Sequence, residues 1–93
     1  MSNDPWRNAR VMYEKDTCAR KMGIELIEID DGFAQMSMTV SADMLNGHQT
    51  CHGGQLFTLA DTAFAYACNS QGLAAVASAA SIAFLRPAFA GDR

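Results

Sequence analysis

The segment NGHQTCHGGQLFTLADTAFAYACNSQG, residues 46–72, contains the residues best suited to chemistry. Asp61 is the only formally charged residue between Asp43 and Arg86. Its sequence neighbours are apolar, so we expect its carboxylate to be buried in a helix, where an unpaired charge is costly unless the protein uses it. Such a carboxylate is a candidate general base or nucleophile. The alternative is a structural role, in which Asp61 caps a loop or pairs with Arg86.

The glycine pair Gly53-Gly54 lies where this helix should begin. The first backbone N–H groups of a helix have no partner within the helix, and the helix dipole makes that end positive. Neither position has a side chain that would block an approaching oxyanion. An oxyanion site together with a carboxylate is the apparatus that acyl transfer requires.

Gly53 and Asp61 are too far apart in one helix to act on the same carbonyl group. At 1.5 Å per residue they lie about 12 Å apart, whereas a reacting carbonyl needs both groups within about 3–4 Å. Two antiparallel copies of the helix across a two-fold axis would place Gly53 of one beside Asp61 of the other. We therefore expect two equivalent sites in a dimer.

The N-terminal half of the chain predicts two elements that support this helix. Asp4-Pro5 is a helix start and Gly23 a stop, so residues 5–22 are predicted to be mostly helix, with a break near Asp16-Thr17. The runs IELIEID and DGFAQMSMTV predict a β-hairpin with Asp31-Gly32 at its turn. The alternation of its methionines and valine with polar residues predicts one apolar face.

The rest of the chain predicts a loop, a helix and one ambiguous segment. Residues 41–51 are rich in turn formers and should form a structured loop that leads into the helix at His52-Gly53. From 55 to 68 apolar residues fall on nearly every side, which predicts a helix surrounded by protein and ended by Gly72. LAAVASAASIAFLRP suits a helix by alanine content and a strand by its branched and aromatic residues.

Composition limits the class of protein. A chain of 93 residues holds at most one domain, and its net charge of -3 without a basic run argues against a nucleic-acid or anionic-membrane partner. No apolar stretch reaches the roughly 20 residues of a membrane span. Three cysteines without framework spacing, and an N-terminus without an apolar core, favour the cytoplasm.

Other chemistry for the same residues is less well supported. His48, Cys51 and His52 could be metal ligands, but zinc sites use four spaced donors and no second cluster follows, so we expect no metal. Cys51 beside His52 could be a thiol nucleophile, although adjacent side chains rarely face one another. We expect Cys51 and Cys68 to be buried bystanders. The aromatic residues Trp6, Tyr13 and Tyr66 are expected in the core.

The segment 46–72 resembles the hotdog-fold acyl-CoA thioesterases, in particular those of the phenylacetic acid degradation (paa) pathway. YEKDTCARKMGIELIEIDDGFAQMSMTV and FLRPAFAGD extend the resemblance over essentially all 93 residues. It implies an α+β fold in which a curved antiparallel sheet wraps a central helix, and homodimers or homotetramers with adjacent helices. It also implies that LAAVASAASIAFLR is a strand.

By position, the resemblance implies roles for individual residues. Gly53 would donate its N–H to the thioester oxygen, and Asp61 of the neighbouring subunit would act as base or nucleophile. Asn46 and His52 would orient substrate or water, while Gly54 and Ser78 would contact substrate. The substrate would be (hydroxy)phenylacetyl-CoA or a similar aryl-acyl-CoA, with no separate cofactor because CoA is part of the substrate.

The family domain continues past Arg93 with further antiparallel strands, so the resemblance implies that residues 1–93 are a single partial hotdog domain, truncated at the C-terminus. A hotdog domain can also bind acyl groups or dimerise without catalysis, and an inactive fragment is the remaining alternative. The presence of both HGG and Asp61 favours the enzyme.

Overall fold

The computed structural model describes residues 4–70 and 86–93. In chain order these residues form helix α1, Pro5–Lys15; helix α2, Thr17–Lys21; strands β1, Glu25–Asp30, and β2, Phe33–Ser37; a short 3₁₀ helix, Ala42–Met44; and helix α3, Gly53–Cys68. The strand predicted over 73–86, apart from its last residue, lies outside the described residues, as do the predicted helix end at Gly72 and the site residue Ser78.

The two N-terminal helices are separated by an acidic cap. Asp4 Oδ1 accepts hydrogen bonds from the backbone N–H groups of Trp6 and Arg7 at 3.1 and 3.3 Å, and Pro5 occupies the first position of α1. Asp16 ends α1 and begins α2, where its Oδ1 accepts from Ala19 N at 3.0 Å. The predicted break near Asp16 is therefore confirmed, because one carboxylate replaces the missing intrahelical acceptor.

The predicted hairpin is confirmed, and its first strand contains a bulge. β1 and β2 pair antiparallel around Asp31-Gly32, where Gly32 has a φ of 68°, a value that glycine adopts without strain. The register shifts between Leu26 and Glu28, which leaves Ile27 unpaired and 40% exposed. The extra residue lets Leu26 and Ile29 share the covered face.

The second strand is shorter than the alternation predicted. β2 ends at Ser37, yet Met38 and Val40 remain buried, at 2% and 5% exposure, in a cluster with Ile24 and Met44. Alternating burial thus persists beyond the pairing with β1, and Val40 is held instead by the C-terminal segment: its N–H donates to the Asp92 oxygen at 2.8 Å and its oxygen accepts from Gly91 N at 2.9 Å.

Helix α3 packs on this hairpin through one buried tyrosine. Tyr66 is 1% exposed and contacts Ala9 of α1 and Ile29 of β1 in a shared cluster. Its hydroxyl donates to Asp16 Oδ2 at 3.2 Å, so the carboxylate that caps α2 also holds α3. The position of α3 is therefore tied to both N-terminal helices.

A second polar contact fixes the C-terminal end of α3. Asn8 Nδ2 donates to the backbone oxygen of Ser70 at 2.9 Å, and Gly32 N donates to Ser70 Oγ at 2.8 Å. Asn8 and Ser70 are both buried. The hairpin turn, α1 and the end of α3 thus meet at one residue, which fixes where α3 ends relative to the sheet.

Of the three aromatic residues expected in the core, Trp6 is the exception at 36% exposure, because it lies on the outer side of the first turn of α1. Tyr13 is half-buried and donates its hydroxyl to the Ile24 oxygen at 2.7 Å. No helix within the described ranges has the length and apolarity needed to cross a bilayer.

Candidate active site

One side of α3 is uncovered in the subunit. Its five exposed residues are Gly54, Ala60, Asp61, Phe64 and Cys68. At about 100° per residue they fall within an arc of about 120°, and Tyr66 lies about 140° from Asp61 around the helix. We call these five residues the exposed stripe.

The expectations that Asp61 and Cys68 are buried and that α3 is surrounded by protein are therefore wrong for the single subunit. An apolar sequence on nearly every side of a helix does not distinguish contacts within a subunit from contacts with another molecule. Tyr66 faces the hairpin, so the opposite side carries the carboxylate outward. Asp61 is thus accessible to anything that binds along the stripe.

The structural alternative for Asp61 finds no support among the described residues. Within 4–70 and 86–93, its carboxylate forms neither an ion pair nor a hydrogen bond. Arg86, the partner considered from the sequence, is exposed and does not pair with it. In this part of the chain the ion pair joins Arg93 and Glu25 at 3.6 Å. Both side chains are exposed, and both residues are remote from α3 in sequence.

The N-terminus of α3 is built by His52. This residue is the N-cap, with its Nδ1 accepting from Gly54 N at 3.4 Å and its carbonyl accepting from Gln55 N at 2.9 Å. Its own N–H donates to the Met44 oxygen at 2.7 Å, which attaches the helix start to the 3₁₀ helix. The glycine pair alone suggested that the Gly54 N–H is free. In the structure this N–H instead donates to the His52 side chain.

Gly53 N–H, in contrast, has no acceptor among the described residues. It is the first N–H of α3 and lies at the positive end of the helix dipole. A donor in this position is suited to an oxygen that gains negative charge.

Asn46 shapes the loop that precedes α3. Its Oδ1 accepts from His48 N and Thr50 N at 2.9 and 3.2 Å, and its Nδ2 donates to Thr50 Oγ1 at 3.0 Å. The backbone closes the same loop, with Asn46 N donating to the Thr50 oxygen at 2.8 Å. Leu45 and Cys51 form an isolated antiparallel bridge at its base. The Asn46 side chain therefore holds the loop in place against the helix start.

A cavity of about 300 Å³ opens beside this loop and the helix start. Its lining consists of loop residues, two residues of α3 and a C-terminal segment: Asn46, Thr50, Cys51, Gly53, Leu56, Arg86, Pro87 and Ala88. Cys51 N donates to the Ala88 oxygen at 2.7 Å, which holds the C-terminal segment against the loop.

The structure thus brings two predicted site residues, Asn46 and Gly53, to one cavity, and it leaves Asp61 outside the lining. Sequence reasoning missed Thr50, Leu56 and the segment 86–88 as lining residues. Thr50 carries a local signal, since it is placed to bond with Asn46 in a short turn. Residues 86–88 carry no such local signal, because they are distant from Cys51 in the chain and contact it only in the folded structure.

Cys51 is a poor candidate for a nucleophile. It is 6% exposed, and burial raises the pKa of its thiol, which lowers the fraction of reactive thiolate. Its Sγ lies 3.6 Å from the His52 carbonyl oxygen. A carbonyl oxygen, unlike an imidazole nitrogen, cannot deprotonate a thiol. The prediction that Cys51 is buried is confirmed, and its role as a bystander stays a prediction. Among the described residues, no three His, Cys, Asp or Glu side chains lie together as metal ligands would.

Comparison with known proteins identifies the family of this chain. The family described as Thioesterase superfamily matches residues 48–93. Acyl-coenzyme A thioesterase PaaI of Escherichia coli (strain K12) is 71% identical over 92 residues, which cover 99% of this chain and 66% of that protein. The chain belongs to the thioesterase superfamily.

Two solved structures agree with the fold. The structure of the E. coli PaaI protein from the phenylacetic acid degradation operon matches with a TM-score of 0.92 at 71% identity, covering 94% of this chain and 63% of that one. The TT0310 protein of Thermus thermophilus matches with a TM-score of 0.75 at 41% identity, covering 78% and 62%. The predicted α+β hotdog thioesterase fold is confirmed.

A more distant relative is a putative esterase of Archaeoglobus fulgidus, 38% identical over 82 residues, which cover 88% of this chain and 53% of that protein. The chain thus spans just under two thirds of the thioesterase PaaI and about half of this esterase.

Proposed function

We propose that the protein hydrolyses acyl-CoA thioesters to the free acid and CoA, and that its substrate is (hydroxy)phenylacetyl-CoA or a similar aryl-acyl-CoA of phenylacetate catabolism. Two similarities support this proposal. The chain is 71% identical to a protein named as an acyl-CoA thioesterase, and it resembles the solved structure of a protein from the phenylacetic acid degradation operon. The observation that carries the proposal is the unpartnered Gly53 N–H at the edge of a cavity, on the same helix as an accessible carboxylate.

The active unit is a homodimer or an assembly of such dimers. Gly53 and Asp61 remain about 12 Å apart along α3, which no local adjustment of a helix removes. The exposed stripe provides the surface through which a second copy can pack, since exposed phenylalanine on a helix is stabilised by coverage. An antiparallel arrangement of two α3 helices then forms each site from Gly53 of one subunit and Asp61 of the other.

The chemistry follows from these two groups. The Gly53 N–H donates to the thioester carbonyl oxygen and stabilises the oxyanion of the tetrahedral intermediate. With Asp61 as base, water attacks the carbonyl carbon while its proton passes to the carboxylate; the intermediate then expels CoA thiolate, which takes up a proton. With Asp61 as nucleophile, an acyl–aspartyl anhydride forms as CoA thiolate leaves, and water hydrolyses the anhydride.

The remaining residues have supporting roles. Asn46 and His52 orient the substrate or water through the loop and the helix start that they hold in place. Gly54 and Ser78 contact the substrate, the latter from outside the described residues. No cofactor participates, and the reaction takes place in the cytoplasm, in keeping with three free cysteines.

Release of the CoA thiol from phenylacetyl-CoA tests this function. The protein should liberate thiol and phenylacetate in equal amounts. Binding of phenylacetyl-CoA without thiol release would instead indicate a non-catalytic acyl-CoA-binding module. Single turnover in H₂¹⁸O tests the nucleophilic role of Asp61: direct attack by water places ¹⁸O only in the acid, so ¹⁸O in Asp61 would require the anhydride and attack of water on its aspartyl carbonyl.

A further inference from the structure

We propose that Phe64 of one subunit forms the aromatic wall of the acyl-binding cavity of the other subunit and thereby selects aromatic acyl groups. This inference rests on the proposed dimeric thioesterase, and it adds a specificity-determining residue to that site.

Phe64 is unusually exposed for its position. At 54% it is the most exposed large apolar side chain among the described residues, and it lies well inside a helix. It belongs to the exposed stripe and follows Asp61 by three residues, about one turn further along α3. A side chain at this spacing lies on the same face as the carboxylate. Whatever reaches Asp61 along the stripe therefore also reaches Phe64.

The register of the proposed dimer locates this side chain. If Gly53 of one helix lies beside Asp61 of the other, the two-fold axis passes near Phe57, which is half-buried and lies midway between them in the helix. Gly53 and Asp61 then lie about 6 Å from the axis and Phe64 about 10.5 Å from it. The partner subunit's Phe64 therefore projects about 4.5 Å beyond Gly53, past the start of α3.

That position lies close to the cavity, because Gly53 is one of the cavity's lining residues. The loop from Asn46 to Cys51 precedes α3 directly and forms one side of the 300 Å³ space. Its described lining contains amide, hydroxyl, thiol, guanidinium and aliphatic groups and no aromatic ring. Since no ring among the described residues of the same subunit lines the cavity, a ring partner for an aromatic acyl group can come from another subunit, and paired rings favour offset or edge-to-face contact. Phe64 supplies that ring.

Substrate preference provides the test. The ratio of kcat/KM for phenylacetyl-CoA to kcat/KM for hexanoyl-CoA should fall about five- to tenfold in Phe64→Leu, because the ring contact is lost and apolar contact is kept. Phe64→Tyr keeps the ring and should retain the ratio within about twofold. Phe33→Leu is the matched control, since Phe33 is 50% exposed but lies on the hairpin. An unchanged ratio in Phe64→Leu would overturn the proposal.

A mixed dimer shows in which subunit Phe64 acts. When Asp61→Ala and Phe64→Leu chains are combined and the doubly tagged heterodimer is isolated, its one active site uses Asp61 from the Phe64→Leu chain. If Phe64 acts across the interface, this heterodimer has the reduced ratio of Phe64→Leu. The parental ratio would mean that Phe64 acts in its own subunit and would contradict the proposal. A parent protein that hydrolyses neither thioester would overturn the proposed function itself.

Discussion

At the scale of single residues, Asp61 is a charged group whose environment in the subunit is solvent. Its replacement should therefore separate activity from folding. We expect Asp61→Asn to lower kcat by roughly 10²-fold or more, because the amide neither accepts a proton from water nor attacks a carbonyl. The free energy of unfolding of the subunit should change by less than about 0.5 kcal/mol, as for other exposed positions. Thiol release and urea unfolding measure the two effects.

A parallel loss of activity and stability in Asp61→Asn would contradict this interpretation and return Asp61 to a structural role. Asp43→Asn is a suitable control, because Asp43 is also an exposed carboxylate and lies in the 3₁₀ helix, outside the cavity lining.

Tyr66, in contrast to the exposed Asp61, is a titratable residue that is buried and contributes to packing. Burial, with the Asp16 charge and hydrogen bond and the nearby Tyr13, raises the pKa of its phenol above the ordinary value. The folded state then holds the proton more tightly than the unfolded state, so stability is fully present below pH of about 10 and is lost as pH rises further.

We expect Tyr66→Phe to be less stable than the parent by about 1–2 kcal/mol at neutral pH, because the hydrogen bond to Asp16 is lost. Above pH of about 10 the parent should lose stability by up to about 1.4 kcal/mol per pH unit from this group, and the phenylalanine variant should not. The two unfolding free energies should therefore converge in alkaline solution. Curves that stay parallel between pH of about 7 and 11 would exclude titration of Tyr66 as the cause.

At the scale of elements, the bulge in β1 decides which isoleucine belongs to the core. Ile29 is 3% exposed and packs against Ala9 and Tyr66, whereas Ile27, two residues earlier, is 40% exposed. In a regular strand residues two apart share a face, and the register shift between Leu26 and Glu28 breaks that relation.

We expect Ile29→Ala to cost about 2–5 kcal/mol of unfolding free energy, since it leaves a cavity between the hairpin, α1 and α3. Ile27→Ala, the same substitution in the same strand, should cost less than about 1 kcal/mol. Chemical denaturation of both variants measures the difference. Equal costs would mean that Ile27 is covered in the assembled protein.

At the scale of the whole molecule, activity should require two subunits. Gly53→Pro removes the proposed oxyanion donor while keeping the helix start, because proline is tolerated at the first helical position and His52 has the extended backbone that precedes proline. Asp61→Ala removes the carboxylate. We expect each variant to be inactive as a homodimer.

Mixing the two inactive proteins should restore turnover. Each heterodimer contains one site with both Gly53 and Asp61 intact, so random exchange of equal amounts should recover about one quarter of the parental activity. The measurement is thiol release before and after subunit exchange, with exchange verified by two affinity tags. Heterodimers that remain inactive would show that the two groups do not share a site between subunits.

Much of the fold follows from short-range signals. Asp4-Pro5 begins α1, Asp16 divides it from α2, and Asp31-Gly32 turns the hairpin, all as predicted. Each of these signals acts through a hydrogen bond or a backbone angle within a few residues, so it can be recognised without knowing the rest of the molecule.

The site is only partly accessible to such reasoning. The residues Gly53, Asn46 and Asp61 stand out by type and spacing, and two of them meet at one cavity in the structure. The exposure of Asp61 contradicts the prediction from its apolar neighbours, because hydrophobicity shows that a face will be covered and does not show what covers it. The third lining segment, 86–88, is held at the site by backbone hydrogen bonds between residues distant in the chain, from Cys51 N to the Ala88 oxygen and between Val40 and residues 91–92.

The amino-acid sequence by itself determined the helix starts, the turn, the apolar helix and the chemical groups available for acyl transfer, since these depend on residues close together in the chain. The tertiary structure alone decided which side of α3 is covered. Tyr66 reaches Asp16 across 50 residues, and Ser70 reaches Asn8 across 62, so the rotation of the helix is set by packing between distant elements. That rotation turns Asp61 and Phe64 outward, because the opposite face of α3 packs against the hairpin and the N-terminal helices.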